Sequence, residues 1–235
     1  MAKHDLNQTT HRRGFLGSLA TGAATLGMAA LVNPLQLKAE PNFGGDVSEA
    51  DEWFKKVKGK HRIVYDVTAP NGIMPFAWPK VFLLTNAATG TPETDCGVVV
   101  ILRHEAIPYA LGNDLWTKYK LGEMFKINDD KAKTPSVSNP FWQRPDDTVP
   151  GIGTVQIGID SLQKSGVMFA ACDAALTVYS AVAAGAMGNN ADPAAVKKEW
   201  VAGVLPGIQV VPSGVWAVGR AQEHGCAYCF AGGAG

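Results

Sequence analysis

Residues 166–184 read Gly-Val-Met-Phe-Ala-Ala-Cys-Asp-Ala-Ala-Leu-Thr-Val-Tyr-Ser-Ala-Val-Ala-Ala, and the fold is decided there. Gly166 opens a short apolar run with the length of a buried strand, and an Ala/Leu/Val/Tyr segment of helical length and propensity follows at once. Cys172 stands at the join. In a parallel α/β sheet that join is the carboxyl end of a strand, where ligands and catalytic groups gather. It is also the first turn of a helix, whose unpaired N–H groups stabilise an anion and so favour thiolate over thiol. The plainer alternative is a small buried apolar residue, the usual fate of a free cysteine.

Working outward, the same alternation recurs. Strands are expected at 61–67, where Arg-Ile-Val-Tyr-Asp-Val is the heart, and at 96–102, where Gly-Val-Val-Val-Ile-Leu is the continuous apolar run of a strand covered on both faces. Two more are expected at 208–211 and 226–230. Helices are expected at 76–87, 107–119, 154–164, after Cys172, after the Asp192-Pro193 cap, and from Ser213 to His224 with Gly225 as the residue past its end. Strands alternating with helices predict one doubly wound α/β domain over 61–235 on a mainly parallel five-stranded sheet. Residues 40–60 read as a lead-in segment carrying a short charged helix with Trp53 and Phe54. Residues 126–153, with Asp129-Asp130 and four prolines from Pro135 to Pro150, read as a long loop: a lid, an oligomer contact or a partly mobile segment. The terminal 232–235 read as a loose end.

The N-terminus reads as an address. His11-Arg12-Arg13-Gly14-Phe15-Leu16 precedes a mildly apolar run rich in Gly, Ala and Thr, the layout of an export signal over 1–39. The paired arginines resemble a twin-arginine signal, whose pathway carries folded proteins, so a periplasmic or otherwise exported location is expected. The glycines and hydroxyl residues of the run weigh against a membrane span, and Leu37-Lys38-Ala39 is a poor cleavage site. A mature start near Glu40 and a retained anchor both stay open, and a membrane enters only through the latter.

Charge gives no reason to expect a nucleic-acid partner. Lys+Arg and Asp+Glu balance at 21 each; residues 1–39 hold Lys3, Arg12, Arg13, Lys38 and Asp5, so the remainder carries 17 basic against 20 acidic groups. No cofactor is expected, because no Gly-x-Gly-x-x-Gly or Walker-type sequence follows a strand.

His104 and Cys172 both follow sheet strands at one edge. If those strands are neighbours, His104 takes the thiol proton or holds the thiolate; otherwise Arg103-His104-Glu105 is a solvated strand end. Arg103, Ser213 and Asn71 are candidates to line the same mouth, read first as caps and turn residues, and Tyr109 and Trp116 as core or oligomer contacts. Cys226-Ala227-Tyr228-Cys229 has redox or metal-ligand spacing. Within a strand, however, residues three apart point to opposite faces. Structural cysteines rank first there, a disulfide (with each other, with Cys96 or with another subunit) second, and a metal third, since zinc needs four ligands and only His224 or His104 would be left to complete the set.

Three blocks, Val-Val-Val-Ile-Leu-Arg-His-Glu-Ala-Ile-Pro-Tyr-Ala-Leu (98–111), Gly-Val-Met-Phe-Ala-Ala-Cys-Asp-Ala-Ala-Leu (166–176) and Val-Val-Pro-Ser-Gly-Val (210–215) with Arg-Ala-Gln-Glu-His-Gly (220–225), resemble the DsrE/DsrF-like family of sulfur-relay proteins. The resemblance covers roughly residues 60–230. It implies a three-layer α/β/α fold, homotrimers or homohexamers, and a cysteine that carries sulfur as a persulfide, matched here by Cys172. The export signal, the 126–153 loop and the terminal Cys-x-x-Cys depart from the cytoplasmic members and point to an exported branch. The expected function is a sulfane-sulfur carrier or transferase using Cys172 with His104 as helper, exchanging sulfur with a donor or acceptor protein or a small sulfur species. A thiol–disulfide redox protein using Cys226 and Cys229, and a non-enzymatic oligomeric binding or assembly subunit, are the alternatives.

Overall fold

The computed structural model describes residues 47–233, apart from 130, 150, 152, 189 and 190. The expected export signal at 1–39 and its cleavage point near Glu40 lie outside the described residues, as do Ala234 and Gly235. In chain order the helices are α1 (Val47–Phe54), α2 (Met74–Ala88), α3 (Asn113–Tyr119), α4 (Leu121–Met124), α5 (Ile159–Lys164), α6 (Asp173–Ala186), α7 (Pro193–Ala202) and α8 (Gly214–Glu223). The strands are β1 (His61–Val67), β2 (Cys96–Leu102), β3 (Asp147–Val149), β4 (Gly153–Val155), β5 (Met168–Cys172), β6 (Ile208–Val211) and β7 (Ala227–Phe230).

Five strands form one parallel sheet in the order β6-β5-β2-β1-β7. The expected three-layer α/β/α architecture is present. Alternation along the strands divides the core. Tyr65, Val67, Val98, Val100, Leu102, Phe169 and Ala171 enter the larger cluster, whereas Val64, Val99, Ile101, Ala170 and Val211 enter the smaller one. The larger side is covered by α2, α6 and α7 among others, through Phe76, Leu83, Leu176 and Trp200. The smaller is covered by α1 and α8, through Trp53, Phe54, Ala217 and Ala221.

Right-handed crossovers account for this division. From β1 through β6 the chain steps across the sheet in one direction, so its helices fall on one side. After β6 it must return past β1 to lay down β7, and that reversal places α8 on the other face. Helix α1, in the lead-in segment, packs on this second face: Phe54 lies edge-on to Trp53 and Trp216 and stacks on His224, completing the layer that α8 begins.

Two expectations need correction. The single helix at 107–119 is a 3-10 helix, His104–Ala110, followed by α3. The break at Leu111 and Gly112 has a tertiary cause: the Gly112 N–H donates to Gly203 O and the Leu205 N–H donates to Ala110 O, which holds this stretch extended against 203–205. The helix expected at 154–164 is only α5, because Gly153–Val155 pairs antiparallel with Asp147–Val149 as a hairpin. The segment 126–153 is pinned near its middle. Phe141 is buried and stacks on Phe76 with ring centroids 4.0 Å apart, and Asn139 Nδ2 donates to the carbonyls of Tyr109 and Leu111. The terminal segment is likewise tucked in as far as Gly233, with Ala231 buried and its N–H donating to Asp66 O.

Candidate functional site

Strands β5 and β6 lie side by side, yet the chain leaves β5 into α6 on the larger face and leaves β6 into α8 on the smaller one. Neighbouring strands whose connections part to opposite faces open a crevice beyond their carboxyl ends, the usual ligand position in such sheets. Cys172 is the last residue of β5 and pairs in register with Val211, the last of β6.

Cys172 is also the N-cap of α6. Its extended backbone (φ −75°, ψ 112°) stops the strand, and its Sγ accepts the Ala175 N–H at 3.3 Å. Cysteine here takes a place usually filled by Ser, Thr, Asp or Asn. An amide directed at the sulfur stabilises negative charge on it, and the helix dipole acts in the same sense. The residue is 6% exposed, so it is less open than a surface thiol.

Strand β2 borders β5 on its other side. Leu102 pairs with Ala171, which makes Arg103 and Cys172 the next residues along adjacent strands. Arg103 Nε and Nη2 donate to Asp66 Oδ1 and Oδ2 at 2.6 and 2.9 Å, and the Tyr228 hydroxyl donates to Asp66 Oδ2 at 3.0 Å. The Asp66 side chain is buried and that of Arg103 is a quarter exposed. The hydrogen bonds to Asp66 hold the Arg103 pKa above its ordinary value against the opposing effect of burial, and the charges of Asp66, Tyr228 and Cys172 add to the rise. Gly214 is needed beneath it: a Cβ there would stand 2.5 Å from Arg103 Cβ and 2.6 Å from its Cδ. Ser213 caps α8, its Oγ accepting the Trp216 N–H.

His104 follows Arg103 at the same edge, as expected, but it does not bond the thiol among the described residues. It adopts a left-handed backbone, φ 50°, and turns an exposed ring edge-on to Tyr179 at 5.8 Å. Asp173, buried in the first turn of α6, is neutralised by Lys197 Nζ at 2.9 Å. Asn71 donates to the carbonyls of Ala231 and Gly232, a turn role, while Tyr109 and Trp116 are core. Sequence reasoning misses Asp66 and Tyr228 and takes Arg103 first for a turn residue. The one available signal is the Asp-Val and Leu-Arg endings of two apolar strands.

No protein-family model, curated protein or solved structure matches the chain.

The other thiols lie in different settings. Cys226 is buried on the α1/α8 face, and burial pushes its pKa up to about 11 against the lowering effect of Arg62. Cys229 packs against the opposite cluster, and burial raises it as well. All four cysteines are free, and the expected alternation sets this pair on opposite faces of the sheet. Cys96 lies at the amino end of β2, in a cleft lined by Lys56, Lys58 and Lys164. Burial, followed by Asp95 and Glu93, raises that thiol, which makes it a poor nucleophile.

Proposed function

We propose that the chain is an exported sulfane-sulfur carrier or transferase that loads sulfur on Cys172. The observation that carries this reading is the position of the sulfur: at the switch point between β5 and β6, accepting an amide from the first turn of α6. A thiolate there attacks a sulfane sulfur by the same chemistry as thiol–disulfide exchange, and the resulting persulfide anion profits from the same amide. The resemblance of 98–111, 166–176, 210–215 and 220–225 to sulfur-relay proteins supports the same assignment. Slight exposure favours a slim donor, such as a chain of sulfur atoms, over a bulky one. The parted faces of Cys226 and Cys229 speak against the redox alternative, since a bridge between them would require the strand to be rebuilt. His104 is a solvent-facing imidazole at the rim in this reading, and the position of β7 at the end of the strand order, with its half-exposed Phe230, supports assembly with further copies.

Treating the full chain with inorganic polysulfide and mapping peptides by mass tests the reading. The expected result is one added sulfur atom on Cys172, lost in Cys172→Ala. Sulfur found only on other cysteines, or none, contradicts it and leaves the binding-subunit alternative.

A further inference from the structure

We propose that Arg103 is the specificity-determining residue that selects anionic sulfane-sulfur donors for Cys172, with Asp66 and Tyr228 as the residues that position it. This rests on the carrier reading above.

Reaction between a thiolate and an inorganic polysulfide brings two anions together, a repulsion that a fixed cation relieves most where water is partly excluded. Arg103 is placed for this. It stands opposite Cys172, one position beyond the Leu102–Ala171 pair that ends the β2–β5 register. Two of its N–H groups are engaged by Asp66, and the others meet no protein acceptor among the described residues. The stem rests on Gly214, where no side chain competes for the space. Asp66, bonded twice by Arg103 and once by Tyr228, sets the plane of the guanidinium and so directs its free edge away from β1. A guanidinium with free donors matches an anionic sulfur or oxygen terminus by charge-assisted hydrogen bonds. Among the nearby carboxylates, Asp173 is compensated by Lys197 and does not repel such a donor.

The step balances without an external oxidant. The Cys172 thiolate attacks a sulfane sulfur of the polysulfide; one sulfur–sulfur bond forms to Cys172 as another breaks within the donor. The electron pair leaves with the shortened polysulfide dianion, and Cys172 is left as a persulfide anion. The thiol proton goes to solvent beforehand. The transferred sulfur was already at the sulfane level in the donor, so no further redox partner is needed.

The test compares the full wild-type chain with Arg103→Gln, and with Asp66→Asn/Arg103→Gln, which leaves no buried carboxylate behind. Three rates are followed at Cys172: with inorganic polysulfide, with anionic iodoacetate and with neutral iodoacetamide. Loss of charge-assisted hydrogen bonds lowers the polysulfide rate roughly 10- to 100-fold in both variants. The iodoacetate-to-iodoacetamide ratio falls by about tenfold on the same grounds, and Arg103→Lys restores part of each. An equal fall with all three reagents, or no fall, overturns the assignment, because a structural role would not discriminate by charge. If the alkylation ratio falls but the wild type takes no sulfur from polysulfide, the carrier reading and the choice of donor are both overturned. If sulfur is taken and the ratio does not move, only the role of Arg103 is overturned.

Discussion

Replacing Arg103 with glutamine removes a cation from a carboxylate that cannot reach water, and the cost follows from that geometry. Asp66 is nearly fully buried, and it would keep only the Tyr228 hydroxyl, a neutral donor and the weakest of its present partners. Breaking one side of a buried ion pair costs about 3 to 5 kcal/mol. Because the Arg103 side chain is a quarter exposed, the low end applies, about 3 kcal/mol. For a domain of this size that lowers the melting temperature by roughly 6 to 12 °C. Neutralising both groups in Asp66→Asn/Arg103→Gln takes away the stranded charge, so more than half of the loss returns, and the single substitutions are strongly non-additive. Thermal and urea unfolding of wild type, the two single variants and the double variant reads this directly, with the urea slope checked for constancy. The reasoning is refuted if Arg103→Gln melts within about 1 °C of wild type, a shift too small for a lost ion pair, or if the double variant is no more stable than Arg103→Gln.

Three further outcomes follow from the same description. Phe141→Ala empties the ring stack on Phe76 and costs about 3 to 4 kcal/mol, with faster proteolytic cleavage between 126 and 153 than elsewhere. Gly122→Ala places a Cβ 2.1 Å from the Ser136 carbonyl oxygen, a backbone atom with little freedom to yield, so soluble yield and urea midpoint both drop. Burial raises the folded-state pKa of Cys226 from 9.0 to about 11, which favours the neutral thiol in the folded chain. The resulting stability is complete below pH 9 and disappears as pH rises towards 11, worth about 1 kcal/mol after allowing for solvent. Urea midpoints of wild type should therefore fall further than those of Cys226→Ala between these limits; parallel curves would contradict it.

What the sequence displayed and what it hid differ in physical range. The five sheet strands are short apolar runs bounded by turns or charge, and the caps at Asp192 and Ser213 act within three residues of themselves, so both were readable locally. The split at Leu111 was not, because the competitor that holds it extended is the 203–205 segment, far along the chain. The β3–β4 hairpin has strands of only three residues, too short to show an apolar period. At the candidate site, the place of Cys172 at the join could be read from a strand running straight into a helix, whereas its capping bond could not. The switch point could not, since it depends on which face each crossover takes. Nor could the Arg103–Asp66–Tyr228 cluster, whose members are brought together by strand order alone: β1 must lie between β2 and β7.

The most direct test of the account is a labelled-sulfur chase through Cys172. The full chain is loaded from isotopically labelled polysulfide, freed of donor, and given a small thiol acceptor. The account predicts that label on the Cys172 peptide falls at the rate at which labelled persulfide appears on the acceptor, with Cys172→Ala neither loading nor delivering. Delivery by Cys172→Ala at the wild-type rate, or label that stays on Cys172 indefinitely, would contradict it.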